Sequence, residues 1–245
     1  MQNIIIIGAT SAMAKEVAKL YALEKANLYL IARDTSKLDT IKQDLMVRGA
    51  NTVHTAPFDA NQFDSHQALI EQAFEALGRI DVLLVAHGSL PNQELCQTDS
   101  MKAIEELNTN GVSVISLLTH AATKMEQQKS GNITVITSVA GDRGRQSNYV
   151  YGAAKGLVST FLQGLAQRLS KSGVHVLDIK PGFVDTPMTA EFDKGALWAK
   201  PEKVAQIIKK RISKKSSFSY TPTFWFVIMT IIKLVPTTLF KRITL

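Results

Sequence analysis

The sequence predicts an α/β fold, a doubly wound parallel sheet with helices on both faces, and three observations predict it. Short apolar runs alternate with helix-period segments from residue 3 to about residue 212. The first run, Asn3 to Ile7, is four isoleucines behind one asparagine, as expected of a central strand covered on both faces. It ends in Gly8-Ala9-Thr10-Ser11-Ala12-Met13-Ala14, a tight small-residue turn that opens a helix. Strand, turn and helix N-terminus together make a pyrophosphate site, because unpaired N–H groups and the helix dipole point at one spot. The architecture is therefore Rossmann-like.

The remaining elements follow in order. The first helix runs to about Glu24, and Asn27 to Ala32 reads as the second strand, ending at Arg33-Asp34. An acid at that strand end would hold a ribose 2′-hydroxyl, whereas an arginine suits a 2′-phosphate. Arg33 thus argues for NADP(H) over NAD(H); its alternative is a solvated loop residue beside Asp34. Helix (Ser36 to Arg48), strand (Thr52 to Ala56), helix (Gln62 to Leu77) and strand (Ile80 to Val85) continue the alternation with right-handed crossovers. A long helical stretch, Asp99 to Gln128, precedes strand Gly131 to Thr137, helix Tyr149 to Ser170, strand Val174 to Ile179 and helix Pro201 to Ile212.

The chemistry concentrates between Ser138 and Lys155. Tyr151 and Lys155 are four apart, so on a helix they share one face and an ammonium sits beside a phenol. A phenol titrates near ~10, and a neighbouring cation that favours the phenolate would bring it nearer the working range. Ser138, delivered by the preceding strand, would hydrogen-bond a carbonyl oxygen as charge builds on it, and Tyr151 would protonate that oxygen. Such a trio suits hydride transfer to a ketone, with the hydride supplied by a cofactor.

Ser138 followed by Tyr151-x-x-x-Lys155 resembles the active-site signature of the short-chain dehydrogenase/reductase family, and the resemblance runs from residue 3 to about residue 212. It implies Ser138, Tyr151 and Lys155 as catalytic residues, with a helix asparagine that kinks its helix and anchors a proton-relay water. Asn108 is the better match for that asparagine and Asn110 the fallback. For the cofactor it implies Gly8, Thr10, Ser11, Ala12 and Met13 in the first turn, where Ala12 and Ala14 replace family glycines. It further implies Asp59 near the adenine, Ala86 and Gly88 after the fourth strand, and Tyr151 with Lys155 themselves. Val85-Ala86-His87-Gly88 replaces the usual Asn-Asn-Ala-Gly, and His87 reads as a packing residue. Pro181-Gly182-Phe183-Val184-Asp185-Thr186 resembles the family's Pro-Gly loop, in which the Val184 backbone and Thr186 would hold the nicotinamide carboxamide and Pro181 and Gly182 would also face the cofactor. Residues 189–200 would form a substrate lid, with Phe192, Leu197 and Trp198 as lining or as packing.

The net charge is +7, yet from Lys200 to Leu245 the chain has ten basic residues and one acid, Glu202, so the basic character belongs to the tail. A nucleic-acid-binding core is thereby disfavoured. One cysteine, Cys96, precludes an internal disulfide framework and suits a reducing compartment; the start lacks the basic flank of a signal peptide, and no metal-ligand spacing appears. These features predict a cytoplasmic protein, with a catalytic domain over 1–212 and a basic, apolar tail over 213–245. The run between Pro222 and Lys233 is far short of the ~20 residues that span a bilayer. With basic flanks and leading aromatics it reads as an element at an anionic membrane surface, or as a segment closing the sheet edge or an oligomer interface.

Arg143 and Arg145, in the loop between Ser138 and Tyr151, would fork onto a substrate phosphate or pair with Asp142. The loop, the alanine turn and the tail together resemble, within the family, the polyprenylphosphoryl (decaprenylphosphoryl) 2-ketoribose 2-reductases. That resemblance implies reduction of a 2-keto sugar on a polyprenyl phosphate in cell-envelope biosynthesis, after an oxidase partner has made the ketone, and a homo-oligomer is expected. A 3-oxoacyl thioester, steroid or sphingoid ketone is the alternative substrate, and a non-catalytic NADP-sensing protein the alternative class.

Overall fold

A computed structural model describes residues 1–243 of the 245-residue chain. In order, the elements are β1 (Asn3–Ile7), α1 (Ala12–Ala22), β2 (Asn27–Ala32), α2 (Thr35–Val47), β3 (Thr52–Pro57), α3 (His66–Leu77) and β4 (Val82–Val85). There follow α4 (Gln93–Thr98), α5 (Ser100–Leu107), α6 (Ser113–Gln128), β5 (Gly131–Ile136), α7 (Tyr149–Leu169) and β6 (Val174–Pro181). The last are α8 (Pro201–Ser213), β7 (Phe218–Thr221), α9 (Trp225–Leu234) and α10 (Thr237–Phe240). All seven strands are parallel, in the order β3-β2-β1-β4-β5-β6-β7. The order reverses between β1 and β4, which opens a cleft at the strands' carboxyl ends.

The isoleucine run reads as expected because both its faces are buried. Ile4 and Ile6 pack with Leu28, Leu30 and Ile179 under α1, α2 and α8, while Ile5 and Ile7 pack with Tyr29, Ile31 and Leu83 under α3, α6 and α7. Alternation of side chains across the pleat makes one strand serve two cores. Each such isoleucine, fully buried, contributes about 1.5–3 kcal/mol of burial energy.

Two departures from the sequence reading matter. The long helix expected over Asp99 to Gln128 is interrupted by a π-helical turn, Asn108–Val112, between α5 and α6. The boundary expected at residue 212 is not where the fold ends either. Phe218–Thr221 pairs with β6 as the seventh strand, from Asp178↔Phe218 to Pro181↔Thr221. The apolar run beyond it forms α9, whose Trp225 and Met229 are buried with Val139 and Tyr220. Of the two readings of that run, edge closure therefore describes its inner face. Trp225 lies flat on Gly182, where a Cβ would overlap the indole. No helix among the described residues is long and apolar enough to cross a membrane.

Because Trp225 is 2% exposed, Trp225→Ala should lower the free energy of chemical unfolding by about 3–5 kcal/mol. A change near zero would mean that the tail is an appendage and not part of the folded unit.

Candidate active site

Ser138 leaves β5 with extended backbone, and its Oγ accepts a hydrogen bond from Ala140 N at 3.1 Å. Its hydroxyl also hydrogen-bonds the Tyr151 phenol. Tyr151 and Lys155 sit on one face of the first turns of α7, with Lys155 Nζ 5.5 Å from the Tyr151 ring centroid. All three line a cavity of about 540 Å³ at the switch point of the sheet.

Burial dominates the electrostatics. Tyr151 is partly exposed as a residue, yet burial pushes its phenol up to about 12, against the pull of the Ser138 hydrogen bond. Burial also lowers the Lys155 ammonium from 10.5 to about 8, opposed by the negative charge of Asp178. The expectation that Lys155 would bring the phenol toward neutrality is not met: desolvation dominates, and only the Ser138 hydrogen bond pulls against it. What results is a protonated phenol beside an ammonium that is readily deprotonated.

Gly8 has φ +82°, and a Cβ there would collide with the His87 backbone. Thr10, Ser11, Ala12 and Met13 line the cavity with Gly8. Ser11 caps α1 without a side-chain hydrogen bond, leaving its hydroxyl and the first N–H groups of the helix at the cavity. Arg33 also lines the cavity and forms no ion pair among the described residues. Asp34 is occupied elsewhere: it accepts from Lys37 N at 3.0 Å and pairs with Lys37 Nζ at 3.1 Å. Asp59, Ala86, Gly88, Pro181, Gly182, Val184 and Thr186 complete the wall expected to face a dinucleotide. Small residues at the turn, donors at a helix start and an unpaired arginine at the end of β2 fit a phosphate-rich cofactor.

His87 behaves as a packing residue. Ser113 Oγ donates to Thr109 O at 2.8 Å, so its oxygen is left to accept from His87 Nε2 at 2.9 Å. His87 is therefore the Nε2-protonated tautomer, and burial pulls its pKa down to about 3.

The helix asparagine is corrected by the structure. Asn110 is fully buried and lines the cavity, whereas Asn108 does not line it. Asn110 Oδ1 accepts from Ser89 N at 3.1 Å, and its Nδ2 donates to Ser89 Oγ, the Glu106 carbonyl and the Glu106 carboxylate. A Cβ on Gly88, at φ +156°, would stand 2.6 Å from Asn110 Oδ1 and 3.3 Å from Lys155 Nζ, so only glycine lets those two groups approach. Both asparagines lie in the π turn, and of the two it is Asn110 that faces the cavity.

The two loop arginines separate. Arg143 turns away from the cavity, donating to the carbonyls of Ile232, Lys233 (3.2 Å) and Val235 (2.7 Å) and lying 3.8 Å from the Phe240 ring centroid. Its expected role on substrate is withdrawn, since unpaired carbonyls at the end of α9 hold it. Arg145 does line the cavity. Its Nη2 touches Met229 Sδ at 3.6 Å, its Nε is buried without a partner, and burial pulls its guanidinium below the usual range. Neither arginine pairs with Asp142, whose carboxylate takes Lys180 Nζ at 2.6 Å and the Tyr220 hydroxyl at 2.5 Å.

That carboxylate belongs to a chain the sequence reading missed. Lys180 also reaches Asp178 at 3.6 Å, and Thr137 Oγ1 donates to Asp178 at 2.5 Å. Two opposite charges two residues apart in the otherwise apolar β6 put both on one face, which was the available signal. Phe192 and Trp198 line the cavity as expected, Trp198 stacking on Phe183 at 5.3 Å. The lid is tied down by Lys194–Asp185 at 2.6 Å and by Ala199 N to Phe183 O at 3.0 Å.

A doubly wound sheet whose switch-point cleft joins a phosphate-ready helix start to a Ser-Tyr-Lys trio defines an oxidoreductase that uses a nicotinamide nucleotide. Residues 2–196 match the family model described as short chain dehydrogenase, and the chain belongs to that family. It is 33% identical over 239 residues to an uncharacterized oxidoreductase of Mycobacterium tuberculosis, covering 98% of this chain and 96% of the relative. An uncharacterized oxidoreductase of Streptomyces coelicolor is 29% identical, over 99% and 96%. Among solved structures, a short-chain type dehydrogenase/reductase from Mycobacterium ulcerans superposes with a TM-score of 0.82 at 22% identity, covering 89% of this chain and 87% of that one. The actinorhodin polyketide ketoreductase, solved with NADPH, gives 0.80 at 21% identity, covering 89% and 94%. At those identities the two structures speak for the fold.

The Lys155 shift has a readable consequence. Below pH about 8 the ammonium is charged and above it neutral, so kcat/KM for the nicotinamide cofactor, which reports the free protein, should fall as pH rises through about 8. By linkage, the unfolded chain binds the extra proton between 8 and 10.5, so this group makes stability rise with pH across that window. A profile flat through pH 8 would show that the charged form is not required.

Proposed function

We propose that the protein reduces a ketone carrying an anionic group, with NADPH, and that a 2-keto sugar on a polyprenyl phosphate is the substrate. The observation that carries this reading is the Ser138–Tyr151–Lys155 trio at the floor of a cavity whose wall also holds Arg145, buried at Nε and without a carboxylate partner. When bound, the cofactor supplies the hydride that the ketone carbon accepts. Ser138 donates a hydrogen bond to the ketone oxygen, and Tyr151, protonated because its pKa is held near 12, releases its proton to that oxygen. Lys155 holds the positive charge that steadies the resulting phenolate, and Asn110 stands beside it as the first group of a proton path toward Ser89 and Glu106.

Preference for NADPH is supported by Arg33, free of Asp34 at the end of β2. An anionic substrate is supported by Arg145: a desolvated guanidinium is stabilised most by a bidentate anion such as phosphate or carboxylate. An extended apolar tail on the substrate is supported by the rim, where Phe183, Met188 and Phe192 are exposed.

The decisive assay is NADPH oxidation with an oxidised polyprenylphosphoryl ribose and, in parallel, a 3-oxoacyl thioester. Turnover with the lipid sugar is expected, and Tyr151→Phe should abolish it while NADPH still binds. Arg145→Met should raise KM for the phosphate-bearing ketone about tenfold or more and leave a small neutral ketone unaffected. Arg33→Ala should raise KM for NADPH by a similar factor and leave that for NADH nearly unchanged. Turnover confined to the thioester would discard the lipid sugar and keep the trio.

A further inference from the structure

Helix α9 is apolar on its inner and outer faces alike, with Thr230 and Lys233 as its two polar residues. Its inner stripe is Trp225, Ile228, Met229 and Ile232, of which Trp225 and Met229 are buried and the others packed against them. The opposite stripe, Phe226, Val227, Ile231 and Leu234, is 53–77% exposed. An amphipathic surface helix would be polar there, and a helix that is hydrophobic all round belongs in an apolar surrounding on both faces. Phe224, Leu239 and Ile243 extend the patch at its two ends, each at least 40% exposed. Between Thr223 and Ile243 the charges are Lys233, Lys241 and Arg242, with no acid among them.

We propose that this outer face of α9, with α10, docks on an anionic bilayer surface and turns the mouth of the cavity toward the lipid. Ten helical residues are about 15 Å long, enough to lie in an interface and too short to cross one. Charge complementarity selects the occupant. Lys241 and Arg242 flank the apolar face as anionic headgroups require, whereas a second copy related by a two-fold axis would set those bases against their own counterparts with no acid to receive them.

The helix is built to hold that pose. At its start Trp225 covers Gly182 of the Pro-Gly loop and meets Phe183, a cavity residue, ring edge to ring face at 5.3 Å. At its end Arg143, from the loop that follows Ser138, takes the carbonyls of Ile232, Lys233 and Val235 and stacks on Phe240 of α10. One helix is thereby fastened to two walls of the active cleft, and the aromatic path Phe224–Trp225–Phe183–Trp198 runs without a break from the exposed patch to the cavity rim. An amphiphilic ketone would pass along that path from the lipid with its apolar chain covered. The docking surface itself stands whatever ketone the cavity takes.

Co-sedimentation of the full chain with vesicles, without cofactor or ketone, tests it independently of the substrate. Phosphatidylcholine vesicles containing about one-third phosphatidylglycerol should bind the protein about tenfold or more tightly than phosphatidylcholine alone, and raised salt should weaken the binding. The combined variant Val227→Ser, Ile231→Ser, Leu234→Ser should lose about tenfold or more of that binding while keeping its melting temperature and its turnover of a small soluble ketone. Lys241→Glu with Arg242→Glu, which leaves the apolar face intact, should lose the preference for anionic vesicles. Failure of the native chain to bind, or binding unchanged in the serine variant, overturns the proposal. So does light scattering that shows a dimer which the serine variant splits, because a second copy then covers the face.

Discussion

The buried ion chain Asp142–Lys180–Asp178 is the interaction on which the rest of the site depends. Its three side chains are 6–11% exposed and join two pieces of the cleft: the loop after Ser138, which carries Asp142, and β6, which carries Asp178 and Lys180. A buried pair of this kind contributes little net stability compared with an apolar isostere, but removal of one member leaves an uncompensated charge that costs about 3–5 kcal/mol. Its value here is positional. Asp142 fixes the loop that carries Arg143 and Arg145, Lys180 precedes the Pro-Gly loop, and the Asp178 charge is what opposes the desolvation of Lys155. Tyr220 of β7 donates to Asp142 and accepts from Lys233 of α9 at 3.2 Å, so the tail is joined to the same chain.

From that anchor the different fates of the loop's two arginines follow. Each Asp142 oxygen has a buried partner, Lys180 on one and Tyr220 on the other, and neither guanidinium is paired with it. Arg143 finds the unpaired carbonyls at the end of α9, which a helix terminus must satisfy somehow. Arg145, two residues on, is left against Met229 at the cavity with one N–H unpartnered. The basic pair is thus divided into a structural cap and a candidate anion ligand.

The central sheet was legible because periodicity alone decides it: Ile4 to Ile7 can sit nowhere but between two helical layers, and the glycine of the first turn has a neighbour that excludes any side chain. The Tyr151–Lys155 pair was legible for the same kind of reason, four residues on one helix being a fixed geometry. What escaped was whatever depended on contacts between distant segments. β7 is four residues long, with serine and threonine inside it, and only its pairing with β6 makes it a strand. Asn110 could not be told from Asn108 because a π turn shifts the facing side by one residue, and nothing local to Asn108–Val112 announces one. The phenol's shift was misjudged in sign because a helix wheel shows the ammonium beside it but not the burial of the phenol itself.

That burial sets the charge states in which the two groups rest. Desolvation raises the Tyr151 pKa and lowers that of Lys155, so both groups are driven toward their neutral forms by one cause. A neutral tyrosine is the form that gives up a proton, and a carbonyl gaining a hydride is the partner that takes it. Once the proton has gone, a phenolate stands beside an ammonium whose Nζ lies 5.5 Å from the ring centroid and that was costly to keep charged, and each then stabilises the other. Burial thus penalises the phenolate and the ammonium each on its own, and it is their mutual attraction that offsets the penalty when both are charged.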